Sequence, residues 1–221
     1  MAIPKEILQQ IHKLTVMLVD LSLCNHQNFP LLRNLSHGYC EINIRNHGDL
    51  SYALKNVSYS EIYTELERTH TYNLKMLDGA LIQMMYLFKN DKIESHRLTF
   101  FSSPSLEKFQ NDPEIYLEDE IYADVIAKNI VPFPFRFDFD ADNPADIDHP
   151  KSHLTLGQYK NCRIPVTSPL MPYHFIVFIL RNIYDTAFKK YSDKILFNAK
   201  NIFSETISPK EKELIYVHIP K

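Results

Sequence analysis

The sequence predicts an α+β fold in which an antiparallel β-sheet is covered by helices from both ends of the chain. Alternating apolar and polar residues in the middle of the chain predict the strands, and the Asp-Gly pair at residues 78–79 is typical of a tight turn between two of them. Apolar residues at helical spacing in residues 4–23 and 173–191 predict the terminal helices. No shift in composition divides the 221 residues, so a single domain is expected.

The N-terminal region, residues 1–57, is predicted to be a helix followed by irregular chain. Apolar side chains recur at alternating spacings of four and three and form one stripe along the helix: Ile7, Ile11, Leu14, Leu18 and Leu21. Pro4 lies near the first turn, where proline is tolerated. The stripe could bind a partner, but burial against the protein's own sheet is the commoner arrangement. Residues 24–57 predict little beyond a short strand near residues 39–44.

The core is predicted over residues 58–191 and begins with a helix from Ser58. Its other elements are, in order, strands at residues 72–76, 80–88 and 93–101, two short helices in residues 105–128, a strand at 130–140, a hairpin of residues 153–156 and 162–166, and the helix at 173–191. The last helix is apolar on nearly all sides in its first half, which predicts that it is buried. Residues 192–221 form a C-terminal extension.

Composition argues against several classes of protein. A net charge of −3 argues against a protein that coats nucleic acid without specificity. Three scattered cysteines argue against a secreted domain stabilised by disulfides. The N-terminal segment lacks the apolar stretch of a signal peptide, and no run approaches the ~18 apolar residues of a membrane span. A cytoplasmic protein without a membrane span is therefore expected.

A strand with alternating phenylalanines begins the part of the chain that is richest in reactive side chains. Phenylalanine occupies every second position, so Arg136, Asp138 and Asp140 share the opposite face. Five aspartates fall in or after this strand: Asp138, Asp140, Asp142, Asp146 and Asp148. Their charge would repel a phosphodiester unless nearby arginines offset it. His96 beside Arg97 on an earlier strand is a further candidate pair, although a strand histidine is more often structural.

Two histidines and an arginine follow the phenylalanine-rich strand. Arg163 alternates with apolar neighbours in the predicted hairpin, which can place it on the same sheet face as His153. The candidate catalytic residues are Arg136, Asp138, His149, His153 and Arg163. In metal-free acid–base chemistry one imidazole removes a proton, the other donates one, an aspartate fixes the imidazole tautomer and an arginine stabilises charge on phosphate. Such a set can cleave RNA through its 2′-hydroxyl.

No metal or cofactor site is predicted. His149 and His153 have the spacing of a zinc-protease helix, but Pro150 opposes a helix there. On an ideal strand the two histidines would lie roughly 13 Å apart, so they could share a metal with Asp138 or Asp140 only if the chain turned at Pro150. The sequence also lacks a glycine-rich dinucleotide motif, a phosphate-binding P-loop and a serine nucleophile elbow.

Six motifs follow one another along the chain: MLDGALIQMMYLF, HRLTFFSSPSLEKF, FRFDFD, HPKSH, CRIPV and SPLMPYHFIVFILRNIY. Their order over about residues 55–190 resembles a bacterial family catalogued as domain of unknown function 2290, whose name implies no activity. Asp78-Gly79, Arg136-Phe137-Asp138 and His149-Pro150 with His153 are also similar in layout to small TumE-like toxins of toxin–antitoxin systems. These resemblances imply a prokaryotic accessory protein encoded with defence or toxin–antitoxin genes.

Two functions stay open at this point. The His/Asp/Arg set and the TumE-like layout favour a toxin-like or defence-associated hydrolase that acts on RNA or a nucleotide. The alternative is a non-enzymatic antitoxin or assembly subunit that binds a protein partner encoded nearby. The N-terminal apolar stripe, the acidic surface and the lack of a recognised catalytic signature favour that second function.

Overall fold

The computed structural model describes residues 3–44, 57–105, 133–142, 144–159, 161–195 and 199–221. Within these ranges nine strands form one antiparallel sheet: β1 (Cys24–Gln27), β2 (Leu31–Asn34), β3 (Tyr39–Asn43), β4 (Leu74–Met76), β5 (Leu81–Lys89), β6 (Lys92–Phe101), β7 (Phe135–Asp140), β8 (Ser152–Leu156) and β9 (Ile164–Pro165). The helices there are α1 (Ile3–Asp20), α2 (Tyr59–Arg68), α3 (Pro172–Ile183), α4 (Asp185–Lys190) and α5 (Ser192–Ile195). The predicted α+β domain with an antiparallel sheet is confirmed.

Strand β5 is the centre of the sheet. On one side it pairs along its length with β6, and β7, β8 and β9 follow in order. On the other side its first residues pair with β4, which continues to β1, and its last residues pair with β3, which continues to β2. Strands from the N-terminal region therefore belong to the same sheet as the predicted core.

Two tight turns produce the predicted β4–β5–β6 meander. Gly79 has a φ of +84°, a conformation that side chains other than hydrogen disfavour, and it connects β4 to β5. Asn90 and Asp91 both have positive φ between β5 and β6, as a two-residue hairpin turn requires. Ser58 caps α2, where its side chain and that of Glu61 exchange hydrogen bonds with the backbone.

The terminal helices cover one face of the sheet. The apolar stripe of α1 is buried, with Ile7, Ile11, Leu14 and Leu18 fully inaccessible. Helix α3 contacts α1, and its Phe175 and Phe178 pack edge-on against Phe135 and Phe137 of β7. The phenylalanine face of β7 therefore lies in the core, and the opposite face presents its polar residues.

Three details of the helical and apolar predictions were wrong. The helix predicted over residues 173–191 ends at Ile183, because Tyr184 leaves the helical conformation and its hydroxyl donates to both carboxylate oxygens of Asp78. Phe178 is only partly buried, and Phe133, which precedes β7, is half exposed.

Some predictions fall on residues that the structure does not describe. The two short helices expected in residues 105–128 lie, apart from residue 105, outside the described ranges, as does the start of the strand expected at residues 130–140. The C-terminal extension contacts the sheet at its β9 edge, where Val217 forms a parallel bridge with Val166. Among the described helices, none is long and apolar enough to cross a membrane.

Candidate active site

A row of charged and titratable side chains crosses three strands on the face opposite α1 and α3. The pairing register aligns Asp138 of β7 with Arg97 of β6 on one side and with His153 of β8 on the other. Directly paired residues share a sheet face, so their side chains meet there. The sheet register thus brings a guanidinium, a carboxylate and an imidazole into one row.

The Asp138 carboxylate is bound by two arginines. Arg97 Nε donates to Oδ1 at 3.2 Å, and Arg136 Nε lies 2.6 Å from Oδ2. Burial raises the pKa of Asp138, but the charges of Arg136 and Arg97, joined by that of His153 when this ring is protonated, outweigh burial and hold that pKa below its ordinary value. Asp138 is therefore ionised at neutral pH; it accepts a hydrogen bond from Arg97 and forms an ion pair with Arg136, whose Nε makes no hydrogen bond within the described ranges.

His153 is buried and its two ring nitrogens point at acceptors of the protein. The ring is 3% exposed, and Nδ1–H donates to the carbonyl oxygen of Pro150 at 2.9 Å. Nε2 lies 3.6 Å from Oδ2 of Asp138. Burial lowers the pKa of His153, although Asp138 and the Pro150 carbonyl act in the opposite direction. At neutral pH the imidazole is uncharged, with its proton on Nδ1.

His149 lies beside His153 because the chain turns before Pro150. A 3₁₀ turn spans Asp146–Asp148, and the His149 backbone donates to Ala145. The two imidazole centroids are 5.1 Å apart, far closer than an extended segment would allow. His149 is partly exposed, so it is the more accessible of the two rings. Arg163 Nη1 donates to the carbonyl oxygen of Asp148 at 3.4 Å and contacts the same turn.

These side chains line one cleft with a volume of about 500 Å³. The five residues proposed from the sequence all contribute to it: Arg136, Asp138, His149, His153 and Arg163. Their convergence is a feature of the structure, while their catalytic roles stay predictions. The cleft also contains Arg97, Glu41, Met85 and Leu87.

Two of these additional residues were not recognised as members of the site. Arg97 was paired with His96 in the sequence, but the two face opposite sides of β6. His96 lies in the core, where Nε2 accepts from the Leu170 backbone at 3.0 Å and burial lowers its pKa to about 4. Alternation along β6 places Arg97 on the polar face, but only the β6–β7 register brings it to Asp138. Glu41 reaches the cleft through the equally long-range pairing of β3 with β5.

The charges in the cleft are balanced. Three acidic residues that line it, Glu41, Asp138 and Asp140, face three arginines, Arg97, Arg136 and Arg163. The negative charge expected from the aspartate-rich segment is thus offset inside the cleft. Each guanidinium carries five N–H donors, and the side chains of Arg97 and Arg136 are 40% and 41% exposed, so donors remain directed at solvent. The cleft can therefore bind an anion.

In the described ranges, no three His, Cys, Asp or Glu side chains are grouped in a way that could hold a metal ion.

The comparisons identify a family but no activity. Residues 23–219 match the model of a family described as "Uncharacterized conserved protein (DUF2290)". The chain matches no curated protein and no solved structure. The similarity to TumE-like toxins stays a prediction.

Proposed function

The chain belongs to the uncharacterized conserved family DUF2290, and from its cleft we propose a toxin-like or defence-associated hydrolase that cleaves RNA or a nucleotide without a metal ion. The observation that supports this function is the convergence of two imidazoles, an ionised aspartate and three arginines in one cleft of about 500 Å³. We place the reaction in the cytoplasm of a prokaryote, in keeping with the absence of a disulfide pattern in the sequence.

The arginines are suited to bind the phosphodiester. Asp138 accepts a hydrogen bond from Arg97 Nε and forms an ion pair with Arg136, so both guanidinium groups lie beside a fixed carboxylate before substrate arrives. A guanidinium that is already oriented stabilises charge developing on a phosphoryl oxygen without reorganising during the reaction. Arg163, beside His149, supplies a third cation at the same wall.

We assign proton transfer to His149 and a positioning role to His153. Both nitrogens of His153 face protein acceptors, while His149 is the partly exposed ring next to it. A neutral His149 removes the proton from a ribose 2′-hydroxyl, the 2′-oxygen bonds to phosphorus, and the bond from phosphorus to the 5′-oxygen breaks. The leaving 5′-oxygen takes up a proton from water, so this transesterification yields a 2′,3′-cyclic phosphate and a free 5′-hydroxyl.

The requirement for a 2′-hydroxyl gives a direct test. Purified protein is incubated in chelator with a single-stranded RNA and with the DNA of the same sequence. The proposed function predicts cleavage of the RNA, cyclic-phosphate ends and an intact DNA. Cleavage of both the RNA and the DNA would contradict attack by the 2′-oxygen. If folded protein cleaved neither substrate, the proposed hydrolase would be contradicted.

A second candidate function is a non-enzymatic antitoxin or assembly subunit. It is favoured by a short apolar segment near the C-terminus, in which Leu214, Ile215 and Tyr216 are exposed and Ile215 is 90% accessible. This function predicts that the chain co-purifies with the product of a neighbouring gene. The complex should then be lost in Ile215→Asp and retained in His149→Ala.

A further inference from the structure

The cleft extends beyond the histidines across the sheet to β3. The register aligns Glu41 of β3 with Leu87 of β5. Leu87 is aligned with Ser95 of β6, and Ser95 with Asp140 of β7. Glu41 therefore lies three inter-strand spacings, roughly 14 Å, from Asp140 on the same sheet face. A ligand that contacted both Glu41 and the β7 side of the cleft would have to be elongated across the strands.

An apolar floor separates the arginines from Glu41. Met85 and Leu87 are alternate residues of β5, both line the cleft and both are partly exposed. Met85 is aligned with Arg97, so the floor begins directly beside the charged row. A thioether and a branched aliphatic side chain pack well against a flat aromatic ring. The floor is suited to a heterocycle rather than to a second phosphate.

Glu41 provides an acceptor at the far end. Its side chain is 26% exposed, and Arg33 forms an ion pair with it in which Nη1 lies 3.8 Å from Oε1, beyond hydrogen-bond distance. An ionised carboxylate only accepts hydrogen bonds, and its two oxygens can accept from two adjacent donors. The Glu41 carboxylate therefore favours a ligand that presents two adjacent N–H donors to it.

We propose that the cleft binds one nucleotide and selects guanine, an inference that rests on the proposed phosphodiester chemistry. The phosphate lies at Arg97 and Arg136, the base lies over Met85, and the Watson–Crick edge of the base faces Glu41. Guanine presents N1–H and N2–H₂ side by side, which matches both carboxylate oxygens. Adenine and cytosine place a ring acceptor beside their amino group, and uracil places carbonyl groups on both sides of its single N–H. Those acceptors repel the second carboxylate oxygen.

Binding of the four nucleoside 3′-monophosphates, measured by calorimetry, tests this selection without relying on cleavage. Guanosine 3′-monophosphate should bind at least about tenfold more tightly than the adenosine compound, since a bidentate contact to a base discriminates by that order. Glu41→Gln replaces one acceptor with a donor and should abolish the preference. Glu213→Gln, a matched change at an exposed residue, should leave it intact.

Equal affinity for the four compounds, or a guanine preference that survives Glu41→Gln, would overturn the inference. RNA cleavage without base preference would also overturn it, while leaving the proposed hydrolase in place. A guanine preference that depends on Glu41 in a protein that cleaves no RNA would support the nucleotide site and overturn the hydrolase. The two proposals therefore fail in distinguishable ways.

Discussion

Nε2 of His153 lies 3.6 Å from Oδ2 of Asp138, while Nδ1 of the same ring donates to a backbone carbonyl oxygen. The two histidines of the cleft therefore differ in their surroundings. His153 is buried and is held by its Nδ1–H bond to Pro150. His149, tilted against it with the ring centroids 5.1 Å apart, is the more exposed ring.

Asp138→Asn should destabilise the protein by about 1–3 kcal/mol at neutral pH, because it leaves two arginines without their counter-ion. The figure is below that of a fully buried pair, since both arginines are about 40% exposed and solvent screens them. The pKa of Asp138 is depressed in the folded state, so its stabilisation is present above the unfolded value of 3.8 and is lost as the pH falls through the lower folded value.

Urea unfolding at pH 7 and pH 3 measures this effect. The difference between wild type and Asp138→Asn should be largest at pH 7 and should shrink at pH 3. Asp20→Asn, at the exposed end of α1, is the control and should change stability little. An Asp138→Asn difference that is equally large at both pH values would contradict a role for the ionised carboxylate.

The pKa of His153 should fall further in Asp138→Asn. Burial already lowers it, and the Asp138 charge is the main influence that raises it. Titration of the imidazole signals by NMR measures the change directly. A pKa of His153 that rises or stays constant in the variant would show that the two side chains are not coupled in solution.

Asp78→Asn should change the pH dependence of stability in a defined direction. Burial raises the pKa of Asp78 from 3.8 to about 6, so its contribution to stability is complete below pH 3.8 and is lost as the pH rises through about 6. Wild type should therefore lose stability relative to the variant over this interval. Unfolding curves at pH 4 and pH 7 measure the relative loss, and parallel behaviour of the two proteins would argue against a raised pKa of Asp78 in the folded state.

Phe175→Ala should destabilise the protein by about 3–5 kcal/mol, because a large buried side chain is lost. Phe175 is fully inaccessible, whereas Phe178 is partly exposed. Phe178→Ala should therefore lower the free energy of unfolding by clearly less than Phe175→Ala, although both rings contact Phe137. Denaturant unfolding compares the two variants, and an equal or larger loss for Phe178→Ala would contradict the observed packing of α3.

The sequence predicted the elements whose periodicity is strong. The phenylalanine alternation of β7 correctly placed Arg136 and Asp138 on one face, and the stripe of α1 correctly predicted burial. Strands β1 and β2 have four residues each and no clear alternation, so their pattern was too short to recognise. The local pattern did not predict the end of α3 at Ile183, where Tyr184, bound to the distant Asp78, leaves the helical conformation.

The sequence could group only those residues of the candidate site that lie close together along the chain. Asp138, His149 and His153 are near one another along the chain, so their clustering was accessible from spacing. Arg97 and Glu41 join them through pairing of strands that are distant in sequence. Pairing register is set by the whole sheet, and a single sequence does not determine it.

The most direct test of the central claim is the single-turnover cleavage rate of RNA in chelator for wild type, His149→Ala and His218→Ala. We expect cyclic-phosphate products, a loss of ~10²–10⁴-fold in the rate of His149→Ala and an unchanged rate for His218→Ala, whose histidine is exposed near the C-terminus. Thermal unfolding verifies that both variants are folded. A wild-type rate retained by folded His149→Ala would contradict the assignment of proton transfer to the exposed imidazole of the cleft.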